Sequence, residues 1–353
     1  MKIKRLMCII LSGFMTLTAV GCGYDGKSDG YDLDEDKKLI VYTAHKSEIY
    51  EPIIQEFEER TGIWVEVVSG GTNQILERIA EENGKQSGDV MFGGGVDSLE
   101  AYSTYFDTYV SPVDDKIGDS YKSADNKYVK FSDLPTVIIY NRKLVISAGT
   151  PRSYGELVNS RWKGKIAMAD PEKSGSAYTA LLTMVQVISK ATGETSDDVI
   201  AKIAKNVDGG IIDGSQNVVN AVATGEKLVG ITSEENALKN MTDGTDIAMI
   251  YPSEGTSVIP DGAAIIKNAP HRSNAEKFME FVVSDDVQRL LEDNLYRRSV
   301  RKDITTKKKI KEISYDIDYS EKNRQSILEC GRKKPAAVRN RWTNDALAYK
   351  KII

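Results

Sequence analysis

Cysteine and histidine are scarce in this chain of 353 residues, which holds three Cys and two His. Cys8 and Cys22 both lie in what we interpret below as an export segment, so Cys330 has no partner for an internal disulfide. With only His45 and His271, a multi-histidine zinc centre is excluded. We therefore expect neither a disulfide scaffold nor a bound metal or cofactor in the folded domain.

Motifs of nucleotide-dependent and hydrolytic enzymes are missing from Lys38 onward, where neither G-x4-G-K-[ST] nor G-x-S-x-G occurs. The segment GGGVDS (93–98) approaches a dinucleotide-binding G-x-G-x-x-G, but Ser98 stands where the last glycine belongs. His271 precedes a predicted helix and does not lie in the predicted cleft. These features predict a protein that is not an enzyme.

Apolar runs long enough to span a membrane are also lacking near the start of the chain. The run Leu6–Val20 is uncharged, but its fifteen residues fall short of the roughly 20 that a spanning helix needs. It follows a basic start made by Lys2, Lys4 and Arg5. This pattern is typical of a cleaved export signal, which we assign to residues 1–21.

Small residues lead from this run into Cys22, and the segment LTAVGC (17–22) resembles the lipobox of bacterial lipoproteins. The resemblance implies cleavage before Cys22 and acylation of that residue, which places the protein outside the cytoplasm on a lipid anchor in the cell membrane. A plain secretory signal with an incidental Cys is the alternative. Residues 22–37 are rich in Gly and Asp, a composition typical of a solvated tether.

Charge is nearly balanced, with 47 basic and 52 acidic side chains and a net charge of -5. This balance argues against a general nucleic-acid binder. Residues 301–353 are the exception, because fifteen Lys or Arg outnumber seven Asp or Glu there. We expect this basic C-terminal segment to pack on the second of two lobes.

The chain repeats an order of strand, loop and helix. KLIVYT (38–43) precedes apolar residues at helical spacing, Asp89–Phe92 starts another such unit, and LVGIT (228–232) starts a later one. This alternation predicts an α/β fold with parallel strands. The length exceeds the roughly 250 to 300 residues over which one core grows, so two domains are expected. A single amphipathic helix is predicted over Asn274–Glu292.

Ligands of parallel sheets bind beyond the carboxyl ends of the strands, where the loops that lead into helices lie. Small and hydroxyl-bearing residues begin several of these helices, and such termini hold phosphate through backbone N–H groups. For any single loop, ordinary turn and cap chemistry is the competing interpretation. The candidate ligand-binding residues are Thr43, His45, Gly70, Gly71, Thr72, Gly94, Gly95, Ser174, Gly175, Ser176, Tyr178, Ser215, Gln216, Ser233 and Glu234.

Several segments, taken in order between residue 38 and about residue 305, resemble extracellular solute-binding proteins of bacterial ABC importers. They include DVMFGGG, ADPEKSGSAYT, GSQNVVNAVATGE and YRRSVRKD. The nearest group binds ferric ion, phosphosugars, phosphoglycerate or 2-aminoethylphosphonate. The resemblance implies a type II periplasmic binding protein fold, in which two α/β lobes joined by crossover hinge strands close over a ligand cleft.

On this resemblance we expect lobe 1 to comprise residues 38–134 with 258–300, and lobe 2 to comprise residues 135–257. The resemblance also implies that the ligand is delivered to a membrane permease and its ATPase. We expect the binding protein to be a monomer. The same fold can present a ligand to a sensor kinase, and the sequence does not separate transport from sensing.

The ligand class remains open between an organic anion and a metal ion. In the iron-binding members a tyrosine pair, a histidine and a glutamate often coordinate the metal, and His45 lies about where that histidine would be. The tyrosine pair is missing, however, and SEE (233–235) follows the strand LVGIT. Gly94 and Gly95 stand where an acidic ligand is expected. We therefore expect a small phosphorylated or phosphonylated organic anion, with ferric iron as the alternative.

Overall fold

The computed structural model of the protein describes residues 35–305, except 83, 148 and 172–173. The predicted signal, Cys22, most of the tether and the C-terminal segment from residue 306 lie outside the described residues. Within the described part, no helix is both long enough and apolar enough to cross a membrane.

The described residues form ten α-helices and ten strands. The helices are α1 (Ser47–Thr61), α2 (Thr72–Glu81), α3 (Val96–Ala101), α4 (Tyr154–Leu157), α5 (Gly175–Thr192), α6 (Ser196–Val207), α7 (Ser215–Ala223), α8 (Glu234–Thr242), α9 (Arg272–Val282) and α10 (Asp285–Asp293). The strands are β1 (Lys38–Thr43), β2 (Trp64–Ser69), β3 (Val90–Gly95), β4 (Val129–Asn141), β5 (Ile166–Ala169), β6 (Ile211–Ile212), β7 (Val229–Ser233), β8 (Ile247–Ile250), β9 (Val258–Ile265) and β10 (Arg298–Ser299).

Lobe 1 is built on the strand order β2-β1-β3-β9-β4, with β10 beside the start of β4. Strands β1, β2 and β3 are mutually parallel, whereas β9 runs antiparallel between β3 and β4. Helix α1 covers this sheet because Ile49, Ile53 and Phe57, four residues apart, form one buried face. Phe57 meets Phe278 of α9 edge to face, with 5.2 Å between ring centroids.

Lobe 2 is built on the strand order β4-β7-β5-β6, with β8 also paired to β4. Its three parallel strands, β5, β6 and β7, carry short apolar sequences such as IAMA in β5, which is buried along its whole length. Trp162 and Tyr154 are the largest fully buried side chains of this lobe and fill its core with the apolar residues of α5, α6 and α7.

Strand β4 crosses from one lobe to the other. Residues Val129–Pro135 pair with β9 of lobe 1, and from Thr136 onward the strand pairs with β7 and β8 of lobe 2. The chain returns to lobe 1 after β8, and Thr136 N–H donates to Ser257 O at 3.2 Å where the two crossings lie side by side. The sequence pattern predicted only VIIY (137–140) of this strand.

One other sequence prediction is corrected by the structure. The predicted helix Asn274–Glu292 is divided into α9 and α10, because Ser284 adopts an extended conformation and caps α10 through its hydroxyl. Helix α6 was not predicted. The first residues of the basic C-terminal segment contact lobe 1, since Arg301 donates to Val283 O at 3.1 Å and Lys302 N to Lys116 O at 2.9 Å. The packing of this segment on lobe 2 stays a prediction, because residues 306–353 lie outside the described part.

The chain enters lobe 1 at the amino end of β1, where a cluster of polar contacts holds residues Glu35–Lys38. The ring of His271 contacts Asp89 at 2.9 Å and Glu35 at 3.1 Å. Asn274 donates its amide to Lys38 O at 2.8 Å. Burial opposes protonation of His271, but its hydrogen bonds to the two carboxylates outweigh that effect and raise its pKa.

Candidate functional site

The carboxyl ends of the parallel strands meet at one edge in each lobe. In lobe 1, Thr43 at the end of β1 lies beside Ser69 of β2 and Phe92 of β3. In lobe 2, Ala169 and Ile212 are paired at the ends of β5 and β6. The loops that leave these edges lead into α2, α5, α7 and α8, so the predicted ligand-binding residues follow the strand ends as expected.

Four predicted residues come together around the start of α2. Gly70 N–H donates to Thr43 O at 3.0 Å, and Gly71 is the N-cap of α2 with no side-chain cap. Gly94 has a φ of 89°, and a Cβ on it would come within 2.9 Å of the Thr72 methyl group. Glycine is therefore required where β3 approaches the first turn of α2.

Thr43 and His45 are buried beneath this edge. The Thr43 hydroxyl donates to Phe92 O at 2.8 Å and accepts from His45 N–H at 3.1 Å, so it holds the turn after β1 and is not free to bind a ligand. The His45 ring packs edge-on to Phe92 and tilted against Phe131, with centroids 4.6 and 5.5 Å away. It also lies directly over Gly93, where a Cβ would clash with it.

The surroundings keep His45 neutral. Burial lowers its pKa to about 4, an effect that the nearby carboxylate of Asp261 opposes. His45 Nδ1 lies 3.7 Å from the Asp261 carboxylate. The two groups would form an ion pair only if the ring were protonated, and because the ring is neutral near pH 7 their contact is polar and not ionic. The second ring nitrogen, Nε2, is buried without a hydrogen-bond partner.

The start of α5 supplies hydroxyl groups at the edge of lobe 2. Ser174 caps the helix by accepting from Ala177 N–H at 3.3 Å, and its hydroxyl lies 3.1 Å from that of Ser176. Gly175 is the first residue of the helix. Tyr178 is only 4% exposed, which leaves its ring little surface for a ligand, contrary to our expectation.

Helix α7 begins at a second glycine N-cap. Gly214 has a φ of 81°, and no side chain caps the first turn. The predicted residues Ser215 and Gln216 contact α8 instead: Asn236 donates to the Ser215 hydroxyl at 3.1 Å, and Gln216 donates to Asn240 at 3.2 Å. The structure therefore joins these two residues to the neighbouring helix.

The start of α8 is occupied by protein partners. Ser233 caps the helix by accepting from Asn236 N–H at 3.3 Å. Glu234 is buried and accepts two hydrogen bonds from Arg298, at 2.7 and 2.9 Å, and one from the Tyr251 hydroxyl. Burial opposes the charge of Arg298, but the bonds to Glu234 outweigh it and raise the Arg298 pKa. Glu234 is therefore not available as a free ligand-binding carboxylate.

Sequence reasoning missed a buried polar cluster next to these residues. Arg297 donates to Glu235 at 2.9 Å and to Ser132 at 3.1 Å, and also binds Asp261. Ser132 in turn donates to Asp261 at 2.6 Å, and Gly95 of β3 is the neighbour of Asp261 in the sheet. We call this set, with Glu234, Tyr251 and Arg298, the arginine cluster.

One signal in the sequence could have indicated this cluster. Two adjacent acids, Glu234 and Glu235, follow strand β7, and two adjacent bases, Arg297 and Arg298, lie at the start of β10. Charged side chains are almost never fully buried unless they are paired, so adjacent acids and adjacent bases next to buried strands are candidates for pairing with each other. The pairs are far apart along the chain, so no local pattern could match them.

The described residues contain no group of three or more His, Cys, Asp or Glu side chains placed to hold a metal ion. Two strings near the start of the chain, GCGYDGKS (21–28) and GKSDG (26–30), match the letters of a phosphate loop and of a nucleophile elbow. They lie outside the described residues, and no strand or helix pattern flanks them in the sequence, as both motifs require.

Two α/β lobes joined by crossing strands define the class of type II periplasmic binding proteins. A solved structure of the periplasmic binding protein AfuA from Actinobacillus pleuropneumoniae, with fructose-6-phosphate bound, has this fold: it matches with a TM-score of 0.71 at 22% identity, over 87% of this chain and 98% of its own. The chain belongs to the family of bacterial extracellular solute-binding proteins, whose sequence model matches residues 98–323.

Two relatives by sequence are named for different solutes. Iron uptake protein A1 of Synechocystis is 25% identical over 287 residues, which are 75% of this chain and 76% of the relative. A putative 2-aminoethylphosphonate-binding periplasmic protein of Salmonella typhi is 24% identical over 267 residues, 72% of this chain and 75% of the relative. The protein is thus a bacterial extracellular solute-binding protein, and the names of its relatives differ in the solute they bind.

Proposed function

We propose that the protein captures a small phosphorylated or phosphonylated organic anion between its lobes and delivers it to a membrane permease and its ATPase. One observation carries this proposal. At the edge of each lobe a helix begins at a glycine N-cap without a side-chain cap, Gly71 for α2 and Gly214 for α7. The first N–H groups of these helices are left for a ligand. Phosphate oxygens are suitable acceptors for such groups.

The hydroxyl groups at the start of α5 support the same ligand. Ser174 and Ser176 lie together at the lobe 2 edge, and short hydroxyls beside backbone N–H groups bind phosphate without a basic side chain. The ion pair between Glu234 and Arg298 also supports an anion. An unpaired carboxylate at this position would repel a phosphate group, whereas a paired one does so much less.

Ferric iron is the second candidate. The relative named iron uptake protein A1 favours it, as does His45 after β1, whose Nε2 has no hydrogen-bond partner. Against it stand the aromatic packing of His45 and the pairing of Glu234 with Arg298, since neither side chain is in a position to contribute its ligand atoms without rearrangement.

The glycine N-cap of α2 offers a direct test. Gly71 has a φ of -67° and a ψ of 148°, and nothing lies within 4 Å of a Cβ placed on it. Gly71→Asp should therefore fold with equal or slightly higher stability, because Asp caps helices well. Its carboxylate should occupy the free N–H groups and repel a phosphate, lowering affinity by about tenfold or more. Calorimetric titration with fructose 6-phosphate, 3-phosphoglycerate and 2-aminoethylphosphonate measures this change.

Controls separate the ligand site from general charge effects. Ser284→Asp alters the cap of α10, away from the strand-end loops, and should leave affinity unchanged. Ser176→Asp should weaken binding as Gly71→Asp does, and Ser176→Ala should do so less. Titration with ferric citrate completes the set. Tight ferric binding that is lost in His45→Ala, with no phosphate-ester binding by any protein, would overturn the proposal.

We also propose the lobe boundaries and the anchor expected from the sequence. Lobe 1 comprises residues 38–134 with 258–300 and lobe 2 residues 135–257, which the change of β4 partners between Pro135 and Thr136 supports. Cys22 carries the lipid anchor.

A further inference from the structure

Arg297 is held by oxygen atoms from both lobes. Its guanidinium contacts Glu235 of α8 at 2.9 Å, and it binds Asp261 and Ser132 of the lobe 1 strands. The side chains of Arg297 and Asp261 are 8% and 7% exposed, so water contributes little to stabilising either charge. Burial opposes the charge of Arg297, but the attraction of the two carboxylates outweighs it and raises the Arg297 pKa.

Arg298 repeats this arrangement beside it. Its guanidinium makes two hydrogen bonds to Glu234, and Tyr251 donates its hydroxyl to the same carboxylate. Each of the two adjacent acids that begin α8 thus has its own arginine. Both arginines come from the segment that begins β10 of lobe 1, whereas both acids belong to lobe 2.

The oxygen atoms around these guanidiniums are the kind that bind hard cations. Carboxylates and hydroxyls coordinate Ca²⁺ and similar ions, and buried carboxylates require a positive partner because an unpaired buried charge is strongly destabilising. In the arginine cluster the guanidinium supplies that positive charge. A metal ion or an ammonium group at this place would have to displace it.

We propose that Arg297 and Arg298 are specificity-determining residues that occupy the place of a cation between the lobes and so exclude cationic ligands. The proposal rests on the proposed capture of an anion. The proposal explains why cations are excluded, whereas the helix N-termini explain why an anion is attracted. By pairing with the acids of α8, the arginines prevent those acids from attracting a cation or repelling the anion.

Replacement of one arginine should uncover cation binding. In Arg297→Met, Glu235 and Asp261 lose their shared partner, and Tb³⁺ should bind about tenfold or more tightly than to the wild type. Tb³⁺ emission sensitised by tyrosine, titrated with Tb³⁺ alone, reports this affinity. Bound Tb³⁺ should also raise the thermal unfolding temperature of Arg297→Met. Arg297→Lys keeps the charge and should behave as the wild type does.

A matched control accounts for loss of a buried arginine in general. Arg301 is also buried and paired, with Asp303 at 2.9 and 2.8 Å, but lies outside the arginine cluster. Arg301→Met should leave Tb³⁺ affinity unchanged, because it frees only the one carboxylate of Asp303, which is too few oxygen ligands for tight binding. Equal Tb³⁺ affinity of Arg297→Met and the wild type would overturn the inference.

A second variant tests the inference if Arg297→Met does not fold. Glu235→Gln retains a hydrogen-bond acceptor for Arg297 but leaves its charge only partly compensated, so affinity for inorganic phosphate should rise by about tenfold. Unchanged or weaker phosphate affinity would contradict the inference. The proposed function fails separately, if the wild type binds no phosphate ester, whatever the Tb³⁺ titration of Arg297→Met shows.

Discussion

His45 has its ring in a largely apolar setting, edge-on to Phe92 and tilted against Phe131. Its side chain is 4% exposed, and burial lowers its pKa from 6.5 to about 4. In the unfolded chain the same ring titrates near its ordinary value. Folding therefore favours the neutral ring, and acid must destabilise the folded state through this residue.

The pH dependence of stability should show this effect. A histidine with a lowered folded pKa contributes full stability above its unfolded pKa, near 6.5, and loses that contribution as the pH falls toward about 4. The free energy of unfolding should fall by about 3 kcal/mol over this range from His45 alone. Urea unfolding at several pH values measures it. His45→Phe, which keeps an aromatic ring in the slot, should lack this part of the slope.

The opposite sign is expected from His271, which serves as a comparison. Its pKa is raised, so its contribution is present at low pH and is lost as the pH rises through the folded pKa. His271→Asn should therefore remove stability preferentially on the acid side. Parallel pH profiles for the wild type and His45→Phe would contradict our account of His45.

Single residues were predicted well where the chemistry is local. Ser174 or Ser176 was expected to cap a helix, and Ser174 does so; Gly70 and Gly71 were expected in a loop that leads into a helix, and they precede α2. Each of these features depends only on neighbours within a few positions. Glu234 was expected to be free for a ligand, but Arg298, its partner, is 64 residues away along the chain. Composition and periodicity carry no information about such a distant pairing.

Helices α1 and α8 belong to different lobes and are linked by an exposed ion pair. Glu48 and Lys239 are 2.5 Å apart, although 191 residues separate them in sequence. Their side chains are 59% and 39% exposed. Surface pairs of this kind contribute little individually and weaken in salt. Their placement across the lobes nevertheless allows them to favour the closed arrangement.

Loss of this pair should weaken ligand capture by a small, salt-dependent amount. In Lys239→Met, affinity for the best phosphate ester should fall by no more than about fivefold at low salt, and the difference should disappear at high salt.

Closure of the lobes by hinge bending around the proposed ligand can be measured by small-angle scattering, which should show a smaller radius of gyration for the ligand-saturated wild type than for the free protein. At a ligand concentration that half-saturates the wild type, a smaller fraction of Lys239→Met molecules than of wild-type molecules should be closed.

An exposed pair inside lobe 2 provides the control. Lys143 contacts Asp246 at 2.6 Å, and Lys143→Met should change neither the affinity nor the scattering. A Lys239→Met protein that binds as tightly as the wild type at low salt would exclude a closing role for the pair.

At the level of elements, the sequence predicted alternation but not the crossings. The strands of lobe 1 and their helices follow clear apolar periodicity. Strand β4 does not, because Ser132 and Asp133 are buried polar residues and Pro135 lacks a backbone donor. Ser132 and Asp133 make their polar contacts within lobe 1, with Asp261 and Tyr121, so the pattern of an ordinary strand is interrupted just before the chain changes lobes. Helix α10 was merged with α9 because one capping serine, Ser284, is a weak signal.

The whole molecule combines a two-lobed binding domain with an N-terminal segment whose proposed role is anchoring. Cys22→Ala should release the protein from membranes and leave export intact, since acylation of this residue would be the only attachment in our proposal. Membrane fractionation with immunoblotting measures the distribution. Cys330→Ala removes the other Cys of the mature chain and should remain in the membrane fraction. Retention of Cys22→Ala in that fraction would contradict the anchor.

The entry of the chain into lobe 1 has a mechanical consequence. In our proposal the tether joins the domain at Glu35, at the amino end of β1, so a pull on the anchor along β1 would load that strand. β1 is hydrogen-bonded on both sides, to β2 over six residue pairs and to β3 over three. Such a load acts in shear, so the hydrogen bonds of both ladders share it. In our proposal, the loop after Thr43 lies at the opposite end of β1 from the attachment, so both ladders would carry part of such a load before it reached that loop.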